Sequence, residues 1–303
     1  MNRFICISGC TASGKSSFAL ELSKYFENPV IINTDALQVY DCWEILTDRP
    51  TVKKPQHSLY GHISCNKKYS VGDWVTDVKE IFDLNSKMSK TFIFVGGTGL
   101  YFNALLRGFS EIPQIPEDIR ELANSQDLSF FLEYLKKNDP NILEKIDIKN
   151  KRRVQRAWEV LKATDKSISY WQSNNTLPLV PFSDASLLLV EIDKENLANR
   201  ISARVGHMLE CGAIKEVEQV YKTCWDKKLP FSKAIGARDI VHYLNGEISF
   251  KNLVENMEIK TRQFAKRQRT WHRNYMKNWI SFNPSELSKL AIEEIVKKAK
   301  TSN

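Results

Sequence analysis

No stretch of this 303-residue chain holds eighteen consecutive apolar residues, so no membrane-spanning helix is expected. The opening MNRFICISGC has too short an apolar segment for a secretory leader and runs straight into a motif. Cysteine is sparse and scattered, at Cys6, Cys10, Cys42, Cys65, Cys211 and Cys224, with no C-x-x-C pair. That spacing argues against a cysteine-built zinc site. Free thiols in a reducing cytosol are expected. Repeats and low-complexity tracts are absent. Two further absences carry more information. The segment Lys260 to Trp279 holds no acidic residue, and the apolar run TFIFV ends in GGTG, where a nucleotide kinase usually places a Mg2+-holding aspartate.

What is present begins with size. At 42% hydrophobic residues, 303 positions can bury a sizeable core. The formal charge of +8 is compatible with a polyanionic partner and equally with an ordinary basic enzyme. RFICISG (Arg3 to Gly9) reads as a buried strand, KSSFALELSKYF as a helix, PVIIN as a second strand, and TFIFVGGTGLYFNALL as a strand, a glycine turn and a helix. Strands alternating with helices predict an α/β fold, a P-loop NTPase-like core with a parallel sheet flanked by helices. From about Pro113 the texture turns helical, and ASLLLVEID (Ala185 to Asp193) returns to the sheet. The expected division is therefore a core of residues 1–112 and 184–303, with a helical insertion domain over 113–183. NWISF is a candidate last strand.

The chemistry starts at GCTASGKSS. Gly9, Cys10, Thr11, Ala12, Ser13, Gly14, Lys15 and Ser16 fit G-x-x-x-x-G-K-[ST] between a strand and a helix. Backbone N–H groups and the helix N-terminus form an anion cradle. Lys15 adds a point charge, and the Ser16 hydroxyl can ligate Mg2+. These residues alone leave open whether a nucleotide such as ATP or another diphosphate is held. Asp35 is the carboxylate at the end of a core strand near this loop, suited to act as a general base or beside a metal; a helix N-cap is the other role open to it. Strand ends converge at the ligand crevice of such sheets, so Gly9 to Ser16, Asp35 and Gly96 to Gly99 should meet there.

The acid-free segment places Arg262, Lys266, Arg269, Arg273 and Lys277 on one helical face, with Phe264, Trp271 and Tyr275 expected to dock the helix. A one-signed stripe suits a phosphate backbone. KNKRR (Lys149 to Arg153) makes a second basic cluster.

Taken with DALQVY, YSVGDW, GGTGLYFNALLRG, RRVQRAWEV, the spaced Arg200, Arg204, Met208, Gly212 and Glu216, AIGARD, YLNGEIS and TRQFAKRQRTW, the P-loop completes a series that resembles the tRNA dimethylallyltransferase (isopentenyl-tRNA transferase) family nearly end to end. The chain carries no zinc-finger extension, so the bacterial type is expected. The resemblance implies transfer of a dimethylallyl group from dimethylallyl diphosphate to the exocyclic amine of the adenine 3′ of the anticodon, with Mg2+ required and diphosphate released. It implies Asp35 as base, with Lys15, Thr98 and Arg204 stabilising the leaving group. Gln38 would read the adenine edge. Contacts to the anticodon stem-loop would come from Asp35, Ala36, Leu37, Gln38, Thr98, Arg120, Lys151, Arg152, Arg153, Arg238, Arg262, Lys266 and Arg269. A cytoplasmic monomer with no membrane partner is expected. The runner-up is a P-loop small-molecule transferase, either a nucleotide kinase or an adenylate prenyltransferase; a P-loop switch without chemistry is a third class. Departures from the family pattern are Ala36 for a usual serine, Asn150 for a common aspartate, Asp165 where a glycine follows Thr164, and PQHSLYGH for a PHHL-like segment.

Overall fold

The computed structural model describes residues 2–51, 54–86, 88–284 and 292–297. The chain divides into two compact units, Met1–Leu106 with Val180–Asn303, and Arg107–Leu179. These boundaries fall at 107 and 179, where sequence texture placed them at 113 and 183.

The first unit is built on one six-stranded sheet. Its elements are β1 (Arg3–Gly9), α1 (Lys15–Ser23), β2 (Pro29–Asn33), β3 (Gln56–Ser58), α2 (Val71–Leu84), β4 (Thr91–Gly96) and α3 (Gly99–Arg107). Strand order is β3-β2-β4-β1, continued by β5 (Ala185–Val190) and β6 (Ile280–Phe282), and every pairing is parallel. Parallel sheets are covered on both faces, so their strands read as unbroken apolar runs. Ile5, Cys6 and Ile7 of β1 and Phe92, Ile93 and Phe94 of β4 are all fully buried accordingly. The carboxyl ends of β2, β4 and β1 lie side by side and carry, in that order, Asp35, the Gly96–Gly99 turn and the P-loop.

Motif YSVGDW is structural. Ser70 and Asp73 form a reciprocal capping box at the start of α2. Trp74 then reaches back so that its Nε1–H donates to the Asn33 carbonyl at 2.8 Å. That bond fixes the last residue of β2, two positions before Asp35.

The second unit holds α4 (Glu117–Ser125), α5 (Leu128–Asn138), α6 (Pro140–Lys145), α7 (Lys151–Thr164) and α8 (Ile168–Ser173). Val154, Ala157, Trp158 and Leu161 recur at helical spacing on α7 and pack with Phe131 and Leu135 of α5. Both departures in this unit keep the local geometry. Asn150 caps α7, its side chain accepting from the Arg153 N–H, a task Asn and Asp share equally. Asp165 ends α7 in the left-handed region at φ 53°, which explains why glycine suits that position and why Asp is tolerated.

The first unit closes with α9 (Lys194–Glu210), α10 (Ala213–Thr223), α11 (Ala237–Leu244) and α12 (Phe250–Tyr275). Among the described residues no helix is long and apolar enough to cross a membrane. Against the expectation of free thiols, Cys65 and Cys224, 159 positions apart, form a disulfide, because the fold brings together two residues that sequence spacing leaves unrelated; Cys6, Cys10, Cys42 and Cys211 are free.

Candidate active site

The P-loop turns into α1 at Gly14, whose φ of 90° is open to glycine and strained for other residues. Most longer helices here start with a side-chain cap, from Ser70, Asp127, Asn150, Asp193 and Ser249. Helix α1 has none, and its first turn holds no acid. Its N-terminal N–H groups and positive dipole end are thus left for an anionic ligand. The Cys10 side chain points the other way and packs with Ile192, Leu197, Ile201 and Ala265.

A cavity of about 270 Å³ opens on this cradle, lined by Gly14, Lys15, Ser16, Asp48, Arg200 and Arg204 among others. Lys15 donates to the Cys10 carbonyl at 3.4 Å. Burial pulls its pKa below the ordinary lysine value, opposed by the charge of Asp35. A second, smaller cavity of about 70 Å³ contains Thr11, Asp35, Leu37, Thr47, Arg204 and an apolar wall of Leu46, Val205, Met257 and Phe264. Arg204 and Met208 border both spaces, so the anion side and the carboxylate side meet there. Arg204 is ion-paired to Asp48 at 3.2 Å and donates to the Thr47 carbonyl at 3.1 Å.

Asp35 is half-buried. Its Oδ1 accepts from the Leu37 N–H at 2.9 Å, and its own N–H donates to Asn33 Oδ1 at 2.8 Å. Asn33 Nδ2 in turn donates to the carbonyls of Asp35 and Leu59. The hydroxyl missing at Ala36 is therefore not what orients the carboxylate. The Ala36 N–H is taken by Thr98 Oγ1 at 3.0 Å, and the Thr98 N–H donates to the Thr34 carbonyl at 3.1 Å. Thr98 thus ties the turn after β4 to the turn after β2 and keeps its hydroxyl proton to donate. Gln38 donates through Nε2 to the carbonyls of Thr47 and Asp48, at 3.0 and 3.1 Å. Donation to a ligand requires exchange of those bonds.

The segment after Asp35 is held in place from a distance. Glu216 accepts from the backbone N–H groups of Glu44, Ile45 and Leu46 at 2.7 to 2.9 Å, and Trp43 Nε1–H donates to the Phe231 carbonyl. A carboxylate accepting three backbone donors is a strong local anchor.

Helix α12 corrects the expectation for the basic segment in three ways. It starts at Phe250, ten residues before the acid-free stretch, and it ends at Tyr275, so Lys277 lies beyond it. Its buried face is Leu253, Met257, Thr261, Ala265, Gln268 and His272, not the aromatic series. Phe264 and Trp271 are only half-buried and Tyr275 is exposed, stacked on Trp271 with ring centroids 4.2 Å apart. A helix can dock by small and polar groups when a loop offers matching backbone partners, which residue hydrophobicity does not reveal. Arg262 also has an acid partner, Glu258, at 3.0 Å. The basic face itself stands: Lys194 of α9 with Arg262, Lys266, Arg269 and Arg273 of α12 line a groove of about 450 Å³, against one acid, Glu191. Arg238 is exposed on α11. Arg120, Lys151, Arg152 and Arg153 belong to the second unit, the last three exposed at the start of α7.

The model of one protein family, described as IPP transferase, matches residues 38–275. The chain belongs to this family. Among its relatives is a tRNA dimethylallyltransferase of Ruegeria sp. (strain TM1040), 40% identical over 92% of this chain and 95% of that one. Another, from Cereibacter sphaeroides (strain KD131), is 41% identical over 92% and 88%. Among solved structures, the tRNA isopentenylpyrophosphate transferase of Bacillus halodurans superposes with a TM-score of 0.71 at 27% identity, covering 100% of this chain and 97% of that one. A eukaryotic dimethylallyltransferase acting on tRNA gives 0.80 at 25% identity, covering 98% and 78%.

In this chain the docking of α12 also sets a pH dependence. His272, 3% exposed, faces Ser8 Oγ at 3.2 Å. Burial, with the nearby Lys15 and Arg269 charges, lowers its pKa from 6.5 to about 4, against Glu191. Between those values the unfolded chain binds the proton and the fold does not. Stability from this group is complete above pH 6.5 and declines as pH falls towards 4, by at most about 1.4 kcal/mol per pH unit. Urea titrations between pH 4.5 and 7 should show that slope, and His272→Gln should flatten it; an unchanged slope would assign the acid sensitivity elsewhere.

Proposed function

We propose that this chain transfers the dimethylallyl group of dimethylallyl diphosphate to the exocyclic amine of the adenine 3′ of the anticodon in tRNA. The observation that carries the reading is the pair of cavities meeting at Arg204, one on an uncapped P-loop and the other on Asp35. A kinase would hold its metal with an acid after β4, and here that place is a glycine turn.

The allylic diphosphate lies with its diphosphate in the cradle of Gly9 to Ser16 and its carbon chain towards the apolar wall of the smaller cavity. The target base leaves its stack to reach that space, as bases do when chemistry is performed on them. Its amine is a weak nucleophile because the lone pair is delocalised into the ring. Asp35 accepts the amine proton as the N–C bond forms. The allylic C–O bond breaks, and its electron pair leaves with the diphosphate. Lys15, Arg204, the Thr98 hydroxyl and the P-loop N–H groups stabilise the growing charge. Arg204 exchanges its Asp48 partner for the anion.

The donor set fits Mg2+ of the kind held chiefly by substrate oxygens and water: the Ser16 hydroxyl lines the cradle cavity, and Asp48 stands in the same wall. When bound there, the ion would neutralise diphosphate charge. The stem-loop is held by phosphate contacts from Arg262, Lys266, Arg269 and Arg238, with Arg120, Lys151, Arg152 and Arg153 of the second unit, and by Ala36, Leu37 and Gln38 near the base. The enzyme works as a cytoplasmic monomer.

The test is incubation with Mg2+, labelled dimethylallyl diphosphate and unmodified tRNA carrying adenine at the target position. Label in the tRNA is the expected result. Label on free adenine nucleotides alone, or only phosphate release from ATP, sinks the proposal. In the same system Arg269→Ala should weaken tRNA binding and lower the slope of log affinity against log salt by roughly one; an unaltered slope means Arg269 touches no phosphate.

A further inference from the structure

Group transfer of this kind needs the base and the leaving-group cradle at a fixed separation, because the amine, the carbon and the departing oxygen must be aligned. In this fold the two groups stand on different strand ends, Asp35 after β2 and the P-loop after β1, with β4 between them. The β2 and β4 turns are joined by Thr98 through Thr34 and Ala36. The β4 turn and the P-loop are joined through a side chain of α12. Gln268, 5% exposed, accepts the Thr11 N–H on Oε1 at 2.8 Å and donates from Nε2 to the Gly97 carbonyl at 3.0 Å. One amide therefore satisfies a donor of one loop and an acceptor of the other, because its oxygen accepts while its NH2 donates.

Two further observations fit the bridge. Gly97 has no room for a side chain: a Cβ there would lie 2.1 Å from Gln268 Nε2. At Gly99 a Cβ would lie 2.0 Å from Trp271 Nε1. The glycines of the β4 turn thus make space for α12, and Gln268 occupies the space opposite Gly97. The same helix carries Lys266 and Arg269 in the basic groove on an adjoining face, so the element that holds the bridge is also the one offered to a polyanion.

We propose that Gln268 is a positioning residue for the transfer: its amide locks the P-loop to the β4 turn and, through Thr98, sets the distance from the leaving group to Asp35. The inference rests on the prenyl-transfer reading above. Misplacement by about 1 Å costs such reactions on the order of 100-fold in rate.

Single-turnover transfer at saturating dimethylallyl diphosphate and tRNA is the readout, with dissociation constants for inorganic diphosphate and tRNA measured alongside. Gln268→Met, which keeps the volume and removes both bonds, should lower the rate on the order of 100-fold and leave both dissociation constants within about threefold, since the amide is buried and its bonds are spent on Thr11 and Gly97. Gln268→Glu gives a sharper signature. A neutral carboxylic acid can accept from Thr11 and donate to Gly97, whereas a carboxylate would face the Gly97 carbonyl with no proton to give. The rate of this variant relative to wild type should therefore climb as pH falls, by up to roughly tenfold per pH unit above the carboxyl pKa. A general loss of stability would not follow that titration. The inference is overturned by a Gln268→Met enzyme transferring within threefold of wild type, by a rate loss matched by an equal loss of diphosphate binding, or by a flat pH ratio for Gln268→Glu. Should Gln268→Met fail to fold, the pH ratio decides alone. A wild-type protein that transfers no label to tRNA would overturn the underlying reading instead, and the two failures are thereby distinct.

Discussion

Asp35→Ala should lower single-turnover prenyl transfer by about 10²- to 10⁴-fold, the range in which a positioned base contributes, while tRNA affinity changes by less than about threefold. The expectation follows from placement. Asp35 lines the smaller cavity, follows a core strand whose last residue is clamped by Trp74, and has one carboxylate oxygen committed to Leu37. The other oxygen is the proton acceptor. Asp35→Asn separates the two jobs, because an amide oxygen can still accept from the Leu37 N–H but cannot take a proton. Equal loss in both variants assigns the effect to basicity. Full activity in Asp35→Asn, with loss in Asp35→Ala, would make Asp35 a loop-shaping residue and require another base.

Lys15→Ala should cost about 10²- to 10³-fold in the same assay, as removal of one preorganised donor to a developing anion does. Its ammonium sits at the mouth of an uncapped helix, and burial has already lowered its pKa. A bound diphosphate favours the charged form and raises that pKa again, so ligand binding should take up protons as pH rises towards the depressed value. Calorimetry of inorganic diphosphate binding in buffers of different ionisation enthalpy measures this uptake. Lys15→Ala should abolish it, and an undiminished uptake would place the titrating group elsewhere.

Four strands were legible because each is a largely buried apolar run, RFICISG, PVIIN, TFIFV and ASLLLV; the exposed edge strand ISF was read within NWISF, and the other edge strand, QHS, gave no signal because it is short, polar and only partly buried. The P-loop was legible because its geometry demands glycine at position 14 and leaves little choice at Lys15 and Ser16. Helix α12 was read correctly as a basic helix and only in part in its docking. Hydrophobicity singled out Phe264, Trp271 and Tyr275; Trp271 does pack against the Gly99 turn, but the buried face also holds Ala265, in an apolar cluster, and Gln268 and His272, whose partners are backbone groups of two loops and the Ser8 hydroxyl of β1. Glu216 stood within a recognised pattern, but its three N–H partners lie about 170 positions upstream, and no local signal connects them.

By itself the sequence determined the element types, the parallel sheet, the anion cradle and the basic stripe, because each is encoded by a local period or by residues with restricted backbone or charge. The sequence also placed Asp35, the Gly96–Gly99 turn and the P-loop at one crevice; only the tertiary structure decided their order and what ties them together. The sheet order β2-β4-β1 brings Asp35, the Gly96–Gly99 turn and the P-loop side by side. Gln268 bridges two of them, and Arg204 borders both cavities. Those contacts arise from strand order and helix packing, which depend on burial summed over the whole chain and not on any one segment.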